Sequence, residues 1–169
     1  AASPHLAIDP VVISAQVSSA VQTIISRSTD PVDKALISIT KINAGTAYNV
    51  IDDQVKMGGT IRTFRRETRT YIEKRLNDLC KGIADAHGAE IKIEFDLVNK
   101  YPPTINSKEE TKFAANVAKD LVGDDKVSTD IDPSMGGEDF SYLLEKKPGS
   151  YLYLGQGDEE HSAHLHTTR

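Results

Sequence analysis

Three histidines fall close together in the stretch DEEHSAHLHTTR, residues 158–169, behind a short run of acids. Neutral imidazole and carboxylate are ordinary ligands for Zn, Mn, Co or Ni, so the stretch has the chemistry of a divalent-cation site. Its spacing is less specific. His161, His164 and His166 form neither the i, i+4 pair of a helical zinc site nor a full alternating set, although His164 and His166 share one face of an extended segment. Taken singly, each is better explained as part of a solvated terminus.

Three further stretches carry residues suited to binding. SMGGEDF sets Gly136 and Gly137 directly before a helix expected to begin at Glu138 and Asp139. Paired glycines let backbone approach a ligand, and the N–H groups of a helix start can hold a carboxylate or an oxyanion. By spacing alone, a tight turn with acids complementing the helix dipole is the simpler reading. GTAYNVIDD and GTIRTF place Asn49 in a loop and Arg62 on the polar face of a strand, where an amide and a guanidinium fork could hold a carboxylate or carbonyl oxygen. ASPHL carries His5 just before the first helix, a position where a histidine is usually only an exposed polar group.

These groups must be positioned by a regular framework, and the periodicities supply one. DPVVISAQVSSAVQTIISR opens on an Asp-Pro cap and puts Ile13, Val17, Val21 and Ile24 on one stripe, which predicts a helix. KALISITKINAG is β-branched and closes at Gly45, a strand leading into a loop. VKMGGTIRTF alternates Val55, Met57, Gly59 and Ile61 against Lys56, Gly58, Thr60 and Arg62, a second strand with Arg62 on the wet face. Ile72, Leu76, Leu79 and Ile83 then repeat at helical spacing up to His87-Gly88. EIKIEFDL alternates again and predicts a strand with one wet face.

Helix, strand, strand, helix, strand is the order of a βαββαβ ferredoxin-like unit lacking its first strand. Beyond the prolines of NKYPPTINS, Ser107 is placed to cap a helix from Lys108 to about Val122. A short strand near Val127–Ile131, a helix in EDFSYLLEK and a strand in SYLYLG follow. The pattern break puts a domain boundary near residue 99, dividing an α+β unit, 1–98, from an α/β piece, 99–169. About 70 residues make a poor independent core, so the second piece is expected to pack against something outside the chain.

Composition narrows the partners. The chain has 169 residues, 38% of them hydrophobic and 27% charged, as in ordinary globular proteins. A formal net charge of −5 argues against nucleic acid, whose binding rests on clustered Lys and Arg. Arg62, Arg65, Arg66 and Arg69 form a local basic run with acids nearby, expected to be a solvated helix entrance. No stretch approaches the ~20 apolar residues of a membrane span and no signal-peptide pattern opens the sequence, so a cytoplasmic location is expected. The single cysteine, Cys80, excludes an intrachain disulfide and falls where a buried thiol is expected rather than a nucleophile.

Taken in order, SPHLAIDPV, AYNVIDD, GGTIRTF, YPPTIN, MGGEDFSYLLEKKPGSYLYLGQG and HLHT resemble the second half of the metal-dependent aminoacylase and hippurate hydrolase family, which includes the indole-acetyl-amino acid hydrolases. The likeness covers essentially the whole chain, and MGGEDF is its most specific block. It implies an amidohydrolase-type metallopeptidase that cleaves N-acyl amino acids with two divalent metal ions. It makes residues 1–98 an inserted lid that also forms a homodimer, and 99–169 the closing, incomplete part of the catalytic domain.

Carried over residue by residue, the resemblance makes His166 a metal ligand and returns His161 and His164 to the solvent. It turns Asn49 and Arg62 toward substrate from the lid, lines the substrate pocket with Gly136, Gly137 and Glu138, and gives His5 a place in the lid block. The general base, the other ligands and the catalytic lid histidine fall upstream of Ala1, so no catalytic residue is expected in this chain. The piece alone is then expected to be inactive and to hold no metal stably, since water activation needs several ligands per cation. The alternative from another class is a non-catalytic dimerisation or interaction module.

Overall fold

A computed structural model describes residues 1–96 and 100–155. The chain divides into two compact units, Ala1–Pro103 with Pro133–Gly137, and Thr104–Asp132 with Glu138–Arg169.

The first unit packs two helices on a two-stranded antiparallel sheet. Helix α1, Pro10–Thr23, starts where the Asp9 carboxylate accepts from the N–H groups of Val11 and Val12, with Pro10 filling a first-turn position that needs no donor. Its stripe of Ile13, Val17 and Val21, with Ile24 just past its end, is buried as the spacing requires, Val21 completely at 0% exposure. Helix α2, Arg66–His87, ends on Gly88 in the left-handed conformation at φ 65°. It contributes Ile72 and Cys80 to the same core, with Leu76, Leu79 and Ile83 partly buried against it. His87 Nε2 meets Gln16 Oε1 at 2.8 Å, joining the two helices at the surface.

Strands β1, Ala35–Asn43, and β2, Lys56–Thr63, pair with Ile37 opposite Ile61 and Ile39 opposite Gly59. The register then shifts, so that Lys41 lies opposite Gly58 and Ile42 opposite Met57. An unshifted ladder would have set Lys41 beside Met57 on the core side. The extra residue, Thr40, restores an apolar residue to that face. The same irregularity brings backbone unusually close to Gly59: a Cβ there would collide with the carbonyl oxygen of Ser38 and lie 3.1 Å from Ile39 Cα. Gly58 has room by comparison, its nearest neighbour being Lys41 Cβ at 3.8 Å.

The strand expected at 90–97 does not form over its described part. Residues 91–96 keep the alternation, with Ile91, Ile93 and Phe95 partly buried and Lys92, Glu94 and Asp96 exposed. Ile91 and Ile93 also pack on the core. What is missing is a ladder, because among the described residues the sheet consists of β1 and β2 alone and a strand is completed only by a neighbour's N–H and C=O groups. Alternation fixes which side faces inward; it cannot supply the partner.

In the second unit, helix α3 spans Lys108–Val122, as its periodicity predicts. Ser107 does not cap it through its side chain. Its Oγ instead accepts from Gly149 N–H at 3.1 Å, and its own N–H donates to the Gly149 carbonyl at 2.9 Å. The strands expected at 127–131 and 150–155 are absent, each running without a ladder in the described residues. The helix expected through EDFSYLLEK shrinks to α4, Phe140–Leu144. Packing in this unit is sparse: Ala115 and Ser141 are its buried residues among those described, while Phe113, Val117 and Leu121, four apart on α3, stay exposed. Helices survive such a setting because they satisfy their own backbone, whereas strands do not.

Candidate functional site

Arg62 occupies the next-to-last position of β2, on the face opposite Met57 and Ile61. Its Nη1 donates to the carbonyl oxygen of Met135 at 2.6 Å, so the strand reaches the MGGED loop across 73 positions of sequence. The loop is shaped locally by Gly136 N–H donating to Ser134 Oγ at 3.1 Å. A Cβ on Gly137 would lie 3.2 Å from the Tyr101 ring and 3.6 Å from Arg62 Nη1, so the absence of a side chain lets these three meet. Arg62, Tyr101 and Met135–Gly137 thus form a small polar cradle within the first unit.

The cradle's base is tied down by charge. Arg69 Nε donates to Glu73 Oε1 at 2.8 Å and Lys100 Nζ reaches the same oxygen at 2.9 Å. Arg69 Nη1 also donates to the carbonyl of Ile61, the residue before Arg62, at 3.4 Å. Burial would raise the Glu73 carboxyl, but the hydrogen bonds from Lys100 and Arg69 outweigh it and hold the group below its usual value. The arginine run is therefore more than a solvated entrance: Arg65 pairs with Asp33 at 2.9 Å, and Arg62 and Arg69 fix β2 and its surroundings.

Asn49 and His5 are not drawn into this cradle by any hydrogen bond to Arg62 among the described residues. Asn49 is exposed in a turn, with its main-chain oxygen accepting from the Ala1 nitrogen at 2.7 Å. His5 is exposed in a 3-10 turn, Pro4–Leu6. Cys80 is buried, and desolvation pushes its thiol pKa up, as befits a core residue and not a nucleophile.

Glu138 belongs to the second unit. Its Oε2 accepts from Tyr151 Oη at 2.8 Å, while its main-chain oxygen accepts from Ser141 N–H at 3.2 Å. The bond from Tyr151 draws the Glu138 carboxyl below its usual range, and the same bond raises the Tyr151 phenol. The helix that follows is too short to make an anion site of its N-terminus.

Tyr101, Lys100, Glu73 and Tyr151 were not singled out by sequence motif. Tyr101 and Tyr151 lie within the conspicuous blocks YPPTIN and GSYLYLG, but an aromatic there reads equally well as core. Glu73 and Lys100 lie 27 positions apart, and only folding pairs them. His161, His164 and His166 fall outside the described residues. Among the described residues, no group of three or more His, Cys, Asp and Glu side chains is placed to share a metal ion. Nor is any helix among them long and apolar enough to cross a membrane.

Residues 5–169 match the model of peptidase family M20/M25/M40. The chain is 40% identical over 168 residues to the N-acetyldiaminopimelate deacetylase of Lactobacillus helveticus, covering 98% of this chain and 43% of the relative. It is 36% identical over 166 residues to the hippurate hydrolase of Campylobacter jejuni, covering 98% and 42%. Among solved structures it is similar to a Bacillus subtilis protein described as a dinuclear metal-binding peptidase of the M20 family, with a TM-score of 0.65 at 33% identity over 85% of this chain and 35% of the other. The chain thus spans less than half the length of these relatives.

Proposed function

Because the chain belongs to peptidase family M20/M25/M40, we propose that it is the lid and the closing part of the catalytic domain of a metal-dependent hydrolase that cleaves the amide of N-acyl amino acids. The observation that carries this reading is the Arg62–Met135 hydrogen bond of 2.6 Å. It joins two blocks that matter separately in the family resemblance and gives an arginine fork a fixed base beside a glycine-rich loop.

N-acetyldiaminopimelate and hippurate, the compounds in the names of two relatives, share an acyl amide next to a free carboxylate. A guanidinium with one N–H committed to Met135 is pre-oriented, and its remaining donors suit such a carboxylate. Gly136 and Gly137 allow substrate to approach backbone closely, and Asn49 and His5 would join from the lid. The complete enzyme would hold two divalent ions, with His166 as one ligand. The described part of this chain would bind and orient the substrate.

The lid assignment for 1–98, with its ferredoxin-like form, is supported by the order of elements and by the unpaired alternation of residues 91–96, which suits a strand contributed from outside the chain. The exposed Phe113, Val117 and Leu121 stripe similarly suits a helix that packs on the rest of a catalytic domain. Homodimerisation through the lid would use the remaining sheet edge.

The test is hydrolysis of hippurate and of N-acetyl amino acids with Mn or Zn, by the complete protein and by the 169-residue chain alone. Turnover is expected from the complete protein only. Turnover by the chain alone would overturn the placement of the water-activating groups outside it. A complete protein that dimerises yet is inert on all these substrates would favour the interaction-module reading instead.

A further inference from the structure

The second unit contains one side-chain pair held more firmly than any turn requires. Tyr151 is fixed at three points. Asn106 Nδ2 donates to its carbonyl at 2.9 Å and Asn106 Oδ1 accepts its N–H at 2.8 Å, a two-way amide clamp. Its ring stands 5.6 Å from Phe140, tilted, and 5.5 Å from Tyr153, edge to face, both within the usual range for paired aromatics. Its hydroxyl then donates to Glu138 Oε2 at 2.8 Å.

Glu138 is anchored from its other end. Its carbonyl accepts from both the N–H and the Oγ of Ser141, at 3.2 and 2.5 Å, and Ser141 is 1% exposed. A carboxylate with a fixed main chain and one oxygen bound to a clamped phenol has little rotational freedom. Asp139 and the Phe140 main chain also hydrogen-bond this carboxyl group, so it is held as an anion by a small network in which Tyr151 is the leading donor.

We infer that Tyr151 is a positioning residue that aims the Glu138 carboxylate, through the hydroxyl-to-Oε2 bond, at an N–H donor of the substrate, an amide or an ammonium. The inference rests on the proposed hydrolysis of N-acyl amino acids, and it adds the residue that orients Glu138 and the type of group Glu138 receives. A phenol suits this purpose because it donates to one oxygen without neutralising the charge. A lysine or arginine at the same place would compete with the substrate for the carboxylate.

The experiment uses the complete enzyme with hippurate as substrate and compares wild type, Tyr151→Phe, Glu138→Gln and the double variant. Phe keeps the ring and both aromatic contacts and removes only the hydroxyl. Tyr151→Phe is expected to raise KM about tenfold with kcat within about twofold, the scale of a lost hydrogen bond to a charged group. The double variant should be no worse than Glu138→Gln alone, because the hydroxyl acts only through the carboxylate. Wild-type kinetics in Tyr151→Phe, or effects that multiply in the double variant, would overturn the inference. A fall in kcat with KM unchanged would overturn it too. A wild-type enzyme inert toward hippurate and N-acetyl amino acids would instead strike at the proposed function, so the two failures are distinguishable.

Discussion

Arg62 Nη1 and the Met135 carbonyl oxygen stand 2.6 Å apart although 73 positions separate the residues. One guanidinium therefore acts on two things at once: it restrains the glycine-rich loop, and the loop in turn restrains it. Replacing Arg62 with Ala in the complete enzyme should lower kcat/KM by about tenfold or more, since a charge-assisted donor and its loop anchor disappear together. Replacing it with Lys should recover little, because an ammonium on a flexible stem cannot bond Met135 and a carboxylate in one plane. Steady-state kinetics on hippurate decides it, and an Arg62→Lys enzyme equal to wild type would contradict the fork.

Adjacent glycines in β2 should behave differently. Gly59→Ala would drive a Cβ into the Ser38 carbonyl, whereas Gly58→Ala meets only Lys41 Cβ at 3.8 Å. Thermal unfolding of the chain should show a loss of about 2 kcal/mol or more for Gly59→Ala and well under 1 kcal/mol for Gly58→Ala. Equal losses would mean that the irregularity at Thr40 does not bring the strands this close.

The Glu73 carboxylate links stability to pH. Its pKa is lowered in the folded protein, so the stability it confers is fully present above the ordinary glutamate value of 4.5 and is lost as pH falls through the folded value. Glu73→Gln should cost about 1 kcal/mol near neutral pH, a modest figure because Lys100 is partly exposed. The difference from wild type should shrink on acidification below the ordinary value. Urea unfolding at a series of pH values measures it, and a gap that widens in acid would reverse the assignment.

His166 is expected to hold one of the metal ions of the complete enzyme. Elemental analysis of His166→Ala should show about one ion fewer per chain, with activity lost, while His161→Ala and His164→Ala retain full metal content. Loss of metal from either of those two would return the whole histidine cluster to contention.

The elements that could be read directly were those whose physics is local. Asp9-Pro10 and the four-residue stripe from Ile13 specify α1 without help from the rest of the chain, and Gly88 ends α2 because the left-handed residue there favours glycine. The strands expected at 90–97, 127–131 and 150–155 do not form in the described residues, for one shared reason. Alternation of residue types describes a face, but a strand exists only when another strand's backbone answers it, and the described residues supply that answer only between β1 and β2.

The site divides in the same way. Sequence identified the residue types and the blocks that contain them: Arg62 on a wet strand face, the paired glycines, and Glu138 behind them. Only the tertiary structure decided that Arg62 meets the Met135 carbonyl, that Tyr101 stands against Gly137, that Lys100 shares Glu73 with Arg69, and that Tyr151 aims at Glu138. Apart from the i, i+4 pair Arg69–Glu73 on α2, each of these joins residues brought together by packing and not by helical or strand period. Local periodicity can say which way a side chain points, but its partner is chosen by chain paths that close through space.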